Sequence, residues 1–150
     1  MRWEIDVKIR VLEHGKDLGI PKYMTSGSVG MDLYAAIDEK VYIRPGRWAL
    51  IPTGICIELP EGYEAQIRSR SGQAAMNGVF VLNSPGTIDS DYRGEIMVIL
   101  ANFSDADFCV WRGMRIAQMV ISPIVRANFI EVKHLDETKR GIGGFGSTGC

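Results

Sequence analysis

Cysteine is scarce in this chain of 150 residues. Cys56, Cys109 and Cys150 are odd in number and far apart, with no CxxC spacing. That excludes a disulfide framework and predicts a reducing, cytoplasmic setting. The two histidines, His14 and His134, have no cysteine near them in sequence, which argues against structural zinc. Charge of one sign is also missing. Seventeen basic residues meet 18 acidic ones for a net charge of −1. A general nucleic-acid binder or a membrane-surface protein needs a basic excess, so neither partner is expected. No apolar run reaches the roughly 20 residues of a membrane-spanning helix. Met1-Arg-Trp-Glu-Ile-Asp6 leads straight into an alternating pattern, so no secretory signal is expected. Internal repeats, low-complexity blocks and long linkers are lacking as well. The size suits a single domain over residues 1–150 with a sizeable core.

Helical periodicity is rare, and what is present is the period of the strand. Ile5, Val7, Ile9 and Val11 alternate with Asp6, Lys8 and Arg10. Further strand-like runs cover Val41–Ile43, Trp48–Leu59, Tyr63–Ser69, Val79–Leu82, Glu95–Asn102, Phe108–Trp111, Ile116–Ile121 and Phe129–Val132. Turn signals at Arg44-Pro-Gly46, Pro52-Thr-Gly54, Pro60-Glu-Gly62, Ser84-Pro-Gly86 and Arg112-Gly113 punctuate them. The pattern predicts an all-β sandwich or barrel. One short helix is predicted over Ser71–Asn77, with Ser71 as N-cap and Gly78 at the left-handed C-terminal position. Ile96-Met-Val-Ile-Leu-Ala101 is apolar on both faces, which places it centrally or in a subunit interface.

Five segments carry polar groups that structure alone does not require. In Gly27–Ala36, Asp32 stands at an apolar strand start, as a turn cap or as a carboxylate for hydrated Mg²⁺. In Arg68–Ala74, Ser71, Gly72 and the first helical N–H groups form a phosphate seat with Arg70 beside it. In Asn83–Glu95, a hairpin with Gly86 near its turn, the amide of Asn83 offers the donor and acceptor that match a pyrimidine edge. Asp89 and Asp91 share a face if that segment is extended, so pattern alone does not choose between them, and solvated turn residues are the plain alternative. In Arg115–Ile121, Gln118 interrupts an apolar strand and must have partners, either a loop or a ligand. The fifth segment, Arg140-Gly-Ile-Gly-Gly-Phe-Gly-Ser-Thr-Gly149, holds five glycines and cannot offset its own ordering entropy. It is a frayed tail or an anion-binding lid over 140–150. In the lid reading Arg140 forks onto phosphate, Ser147 and Thr148 add donors, and Phe145 stacks on a base. It lacks the GxxxxGK[ST] pattern and any following helix, so it is not a Walker loop.

Taken in order, the five segments resemble the five motifs of the trimeric dUTP pyrophosphatase (dUTPase) family. These are Gly30–Ala36, Ser69–Ala74, Gly86–Glu95, Gly113–Gln118 and Arg140–Gly149, which together cover nearly the whole chain. The resemblance implies a distorted jelly-roll-like subunit, a homotrimer with shared sites, and Mg²⁺-dependent hydrolysis of dUTP to dUMP and pyrophosphate. It also implies the roles. Asp89 is the base that activates water at the α-phosphorus, and Tyr92 packs under the deoxyribose, leaving no room for a 2′-hydroxyl. Asn83, with backbone groups of Thr87, Ile88 and Asp89, reads uracil, and Met97 borders the nucleotide. Arg70, Ser71, Gly72 and Gln118 hold phosphates, and Asp32 touches the metal through water. Arg140, Ser147 and Thr148 clasp the γ-phosphate while Phe145 covers the base. Ser69 stands where the pattern has proline, which predicts a looser approach to Arg70; Gln73 stands where it has leucine. A dCTP deaminase on the same fold would need a glutamate proton shuttle, where this chain offers Asp89. A binding-only β-sandwich would not need that aspartate.

Overall fold

The computed structural model describes residues 4–146. Eleven strands and one α-helix follow in chain order: β1 (Lys8–Val11), β2 (Met31–Tyr34), β3 (Val41–Ile43), β4 (Trp48–Pro52), β5 (Ile55–Glu58), β6 (Tyr63–Arg68), α1 (Ser71–Asn77), β7 (Val79–Val81), β8 (Gly86–Ile88), β9 (Met97–Asn102), β10 (Phe108–Val110) and β11 (Arg115–Pro123). A 3₁₀ turn at Glu13–Gly15 follows β1. All strand pairs are antiparallel, in sheets ordered β2-β11-β6-β8, β4-β9-β7, β1-β5 and β10-β3. Together they form a distorted, all-β jelly-roll-like barrel.

Alternation decides which side chains face inward. In β9, Val98 and Leu100 point into the core while Met97 and Ile99 point out; in β6, Ala65 and Ile67 do the same against Gln66 and Arg68. The inward residues join Leu33, Ile43, Ile51, Val79, Val81, Ile116 and Met119 in one cluster. The doubly apolar segment is central, because β9 lies between β4 and β7. Its outer face is also apolar. Leu50 pairs with Ile99, and Trp48 and Phe80 flank Ala101. Trp48 is 61% and Leu50 57% exposed in the single chain.

Two predicted strands differ from the structure. Trp48–Leu59 is two strands, because Thr53 and Gly54 make a turn in which Gly54 has φ +71°. A β-carbon on Gly54 would lie 2.5 Å from Gly15 Cα, so the turn and the 3₁₀ segment pack backbone to backbone. Phe129–Val132 is not a strand, since it pairs with no other described segment; Phe129 is 93% exposed. The helix spans the predicted residues and ends at Gly78 with φ +63°. No helix among the described residues is long and apolar enough to cross a membrane.

Candidate active site

One set of polar side chains gathers where β6 runs into α1. Arg70 keeps extended dihedrals, φ −88° and ψ 127°, and is itself the N-cap, its carbonyl accepting the Ala74 N–H at 3.1 Å. Ser71 is therefore the first helical residue and not the cap that the sequence suggests. Ser71 and Gly72 are exposed on the first turn, where helical N–H groups lack intrahelical acceptors. The register of β2, β11 and β6 sets Gln118 opposite both Asp32 and Arg68, so three strands place these residues in one row. Arg70 Nε donates to Asp32 Oδ1 at 2.9 Å, and Arg115 Nη1 approaches Oδ2 at 3.4 Å. Arg70 Nη1 also donates to the Arg115 carbonyl at 3.3 Å. The sequence reading missed Arg115; its signal was a cation three residues before Gln118 in an otherwise apolar strand.

Gln118 finds a loop partner, donating from Nε2 to the Ser69 carbonyl at 2.9 Å. A β-carbon on Gly30 would fall 2.4 Å from Gln118 Oε1, so only glycine leaves room for this amide. The approach to Arg70 is tied where it was expected to be loose: the Ser69 hydroxyl accepts the Val81 N–H at 2.9 Å, anchoring the segment to β7. A cavity of about 420 Å³ lies here, lined by Gln66, Arg68, Ser69, Ser84, Pro85 and Gln118.

A second set lies on β8 and the loop that follows it; the segment Asn83–Glu95 is not the expected hairpin, because Gly86 opens a strand that pairs with β6 and with no strand adjacent to it in sequence. Gly86 and Ile88 pair with Ile67 and Ala65 of β6, and β8 is an edge strand, so part of its backbone faces outward. The Asn83 amide nitrogen sits over Gly86, 3.3 Å from where a β-carbon would be. After β8 the chain turns, with Tyr92 N–H donating to the Asp89 carbonyl at 3.1 Å, which breaks the alternation of the extended reading. Asp89 and Asp91 both line a cavity of about 600 Å³ with Glu61, Tyr63, Glu64 and Arg93 among its walls. The Tyr92 ring rests against Gly94, and its hydroxyl donates to the Glu95 carbonyl at 3.0 Å. Met97 lies apart from both cavities, on the outer face of β9 opposite Pro52.

Ser84 and Pro85, just before β8, line the cavity beside Ser69 and Gln118, but Asp89 lines the other cavity and lies away from Arg70 within one chain. Ile88 stands opposite Ala65, while Arg70 lies five residues further along the β6 direction, about 17 Å at ~3.3 Å per extended residue. The described end of the tail is also apart: Arg140 Nε bonds to the Gly143 carbonyl at 2.8 Å, and Phe145 is fully exposed with φ +49°. Ser147 and Thr148 lie outside the described residues.

The jelly-roll-like barrel thus carries an arginine-and-amide seat, an edge strand under Asn83 and a glycine-rich end. The dUTPase family model matches residues 16–149. A relative from Neorickettsia sennetsu, deoxyuridine 5'-triphosphate nucleotidohydrolase, is 58% identical over 142 residues, covering 95% of each chain. In fold the chain is similar to the dUTPase of Staphylococcus bacteriophage 80alpha solved with dUPNHPP, with a TM-score of 0.86, 25% identity, and 97% of this chain and 99% of that one covered. It is also similar to a dUTPase from phage phi11 of S. aureus, described with a structural Mg(II) ion, with a TM-score of 0.75, 24% identity, and 87% and 98% covered. The chain belongs to the dUTPase family.

Proposed function

We propose that this protein hydrolyses dUTP to dUMP and pyrophosphate, as a homotrimer whose sites are shared between subunits. The reaction limits uracil incorporation into DNA and supplies dUMP for dTMP synthesis. The observation that carries the reading is the register of β6. It sets Asp89 and the Arg70 seat toward opposite ends of β6 within one chain, with Asp89 exposed and Arg70 partly so. A second copy that sets one against the other completes a site neither makes alone. Family membership and the relative named for dUTP hydrolysis supply the substrate.

In this reading Asp89 accepts a proton from the attacking water at the α-phosphorus, a step that needs one carboxylate within hydrogen-bond reach. Arg70 and Gln118 hold phosphate oxygens, and the second N–H of the Gln118 amide serves that end. Open space surrounds Gly72, so nothing inside the subunit requires glycine there; a phosphate approaching the Ser71–Gly72 backbone would. Asn83 and the free edge of Thr87 and Ile88 read the uracil. Met97 borders the nucleotide from the neighbouring strand, and Tyr92 supports the sugar. Arg140 and Phe145, with Ser147 and Thr148, close over the γ-phosphate and base from the lid over 140–150.

The residues fit Mg²⁺ in the outer-sphere manner. Each Asp32 oxygen accepts from one arginine and keeps a lone pair for a metal-bound water. When bound, the ion supplies charge neutralisation across the triphosphate. Among the described residues no three His, Cys, Asp or Glu side chains cluster as a metal cage, so the substrate's phosphates would complete the coordination. The outer apolar face of β4, β9 and β7, and the exposed Phe129, Ile130 and Val132 along 124–139, are the surfaces that trimerisation would cover. Cys56 and Cys109 are free thiols, in keeping with a cytoplasmic enzyme.

The test is incubation with each deoxynucleoside triphosphate, with and without Mg²⁺, scored for pyrophosphate. Turnover of dUTP alone is expected. Saturable binding with no pyrophosphate, or ammonia released from dCTP, would overturn the proposal.

A further inference from the structure

Outside the residues assigned above, one cluster of titratable groups is wired to the loop after β8. Glu95 Oε1 accepts the Gly54 N–H at 2.8 Å and meets His14 Nε2 at 2.7 Å. An ionised carboxylate has no proton to give, so His14 Nε2 is the donor. The Glu95 backbone carbonyl accepts the Tyr92 hydroxyl at 3.0 Å. A β-carbon on Gly94 would fall 2.4 Å from that hydroxyl oxygen, so residues 94 and 95 together set the attitude of the Tyr92 ring. Glu95 in turn is set by its two donors.

Those donors belong to a stiff support. Gly15 packs on Gly54 so closely that a β-carbon there would lie 2.6 Å from the Gly54 carbonyl oxygen, and the Leu12 N–H donates to the same oxygen at 2.8 Å. Arg112 Nη2 donates to the His14 carbonyl at 2.8 Å and is paired with Asp17. Beyond Glu95, the Thr53 hydroxyl donates to the Ile96 carbonyl at 2.6 Å. The 3₁₀ segment after β1, the β4–β5 turn and the end of the β8–β9 loop are thus joined at one half-buried carboxylate.

We propose that His14 and Glu95 are positioning residues for sugar selectivity: they hold Tyr92 in the attitude that admits a deoxyribose and rejects a ribose. Neither side chain meets the substrate; both act through the Glu95 backbone. The proposal rests on the dUTPase reading and on Tyr92 meeting the sugar. When that carbonyl shifts, the ring bonded to it tilts, and the room denied to a 2′-hydroxyl opens.

The experiment compares kcat/KM for dUTP and UTP in the intact protein and in His14→Ala, Glu95→Ala and Glu95→Gln, with a thermal melt of each. His14→Ala keeps the Gly54 bond, so it remains informative where Glu95→Ala fails to fold. The preference for dUTP over UTP is expected to fall about tenfold in His14→Ala, the scale of one charge-assisted hydrogen bond. It is expected to return towards that of the intact protein in Glu95→Gln, which retains the acceptor oxygen. A folded His14→Ala protein that melts lower but keeps the full preference shows a merely structural role and overturns the clamp. A Glu95→Gln protein as unselective as Glu95→Ala also overturns it. An intact protein that leaves dUTP untouched overturns the functional reading itself, a result separable from either of these.

Discussion

Two inactive variants mixed together should become active. Asp89→Asn keeps the shape of the loop after β8 and removes the proposed base, which costs about 10²–10⁴-fold in turnover. Arg70→Ala removes the guanidinium bonded to Asp32 Oδ1 and to the Arg115 carbonyl, leaving the seat without its central donor. The β6 register sets Ile88 opposite Ala65, five residues and about 17 Å along the chain from Arg70, and Asp89 lies beyond Ile88 on the far side, so neither side chain reaches the other in one subunit. On the proposed function a working site draws Asp89 from one copy and Arg70 from another. When the two variants are unfolded, mixed in equal amounts and refolded, half of the chains bring an intact Asp89 and half an intact Arg70. Random assembly into a closed trimer gives about one quarter of wild-type sites. Pyrophosphate release from dUTP reads the recovery, with each variant refolded alone as the baseline. Recovery no greater than the average of the two baselines would refute the shared site and the separation argument with it.

Other outcomes follow from single features. Leu50→Asp charges the outer face of the β4-β9-β7 sheet beside Ile99, and light scattering should show smaller assemblies with a subunit that still melts cooperatively. Leu100→Ala hollows the centre of the core, where Leu100 is 1% exposed, and should lower unfolding free energy by about 2–5 kcal/mol in denaturant titration. Removal of residues 140–150 should leave the melting temperature nearly unchanged while kcat/KM falls, because the described part of that tail bonds chiefly within itself. The hydrogen bond from Arg112, aided by its charge, holds the Asp17 carboxyl below its ordinary value. A carboxylate depressed in the folded state stabilises above its unfolded pKa, and that stabilisation is lost as pH falls through the folded value. The melting difference between wild type and Asp17→Asn should therefore be present at pH 7 and close in strong acid.

The barrel was legible in the sequence because its strands are half-buried and alternate. β3, β6, β7 and β9 to β11 fall within a residue or two of the predicted runs, and the helix matches with Gly78 where glycine has a backbone reason. What was not legible depends on contacts between distant segments. Pro52-Thr-Gly54 signalled the turn that parts β4 from β5, but not that Gly15 packs against Gly54 from some forty residues away. Phe129–Val132 has strand chemistry but no partner strand within the described chain, and periodicity cannot report a missing neighbour. Asp32 was readable as an out-of-place carboxylate; its clasp by Arg70 and Arg115 was not, since that depends on the β2–β11 register. His14 carried no signal at all. It lies on an early loop, and its meaning comes only from meeting residue 95.

The bonds around Asp32 have a consequence for how fast and how tightly an anion is received. Arg70 reaches its place braced at two of its nitrogens, by a carboxylate and by a carbonyl. A free arginine on a surface samples many rotamers, and immobilising such a side chain on binding costs about 0.5–1.5 kcal/mol. Here that loss of freedom is already met when the subunit folds. On the proposed function, an arriving triphosphate finds the fork standing, and its binding energy is left for the distortions that hydrolysis itself demands.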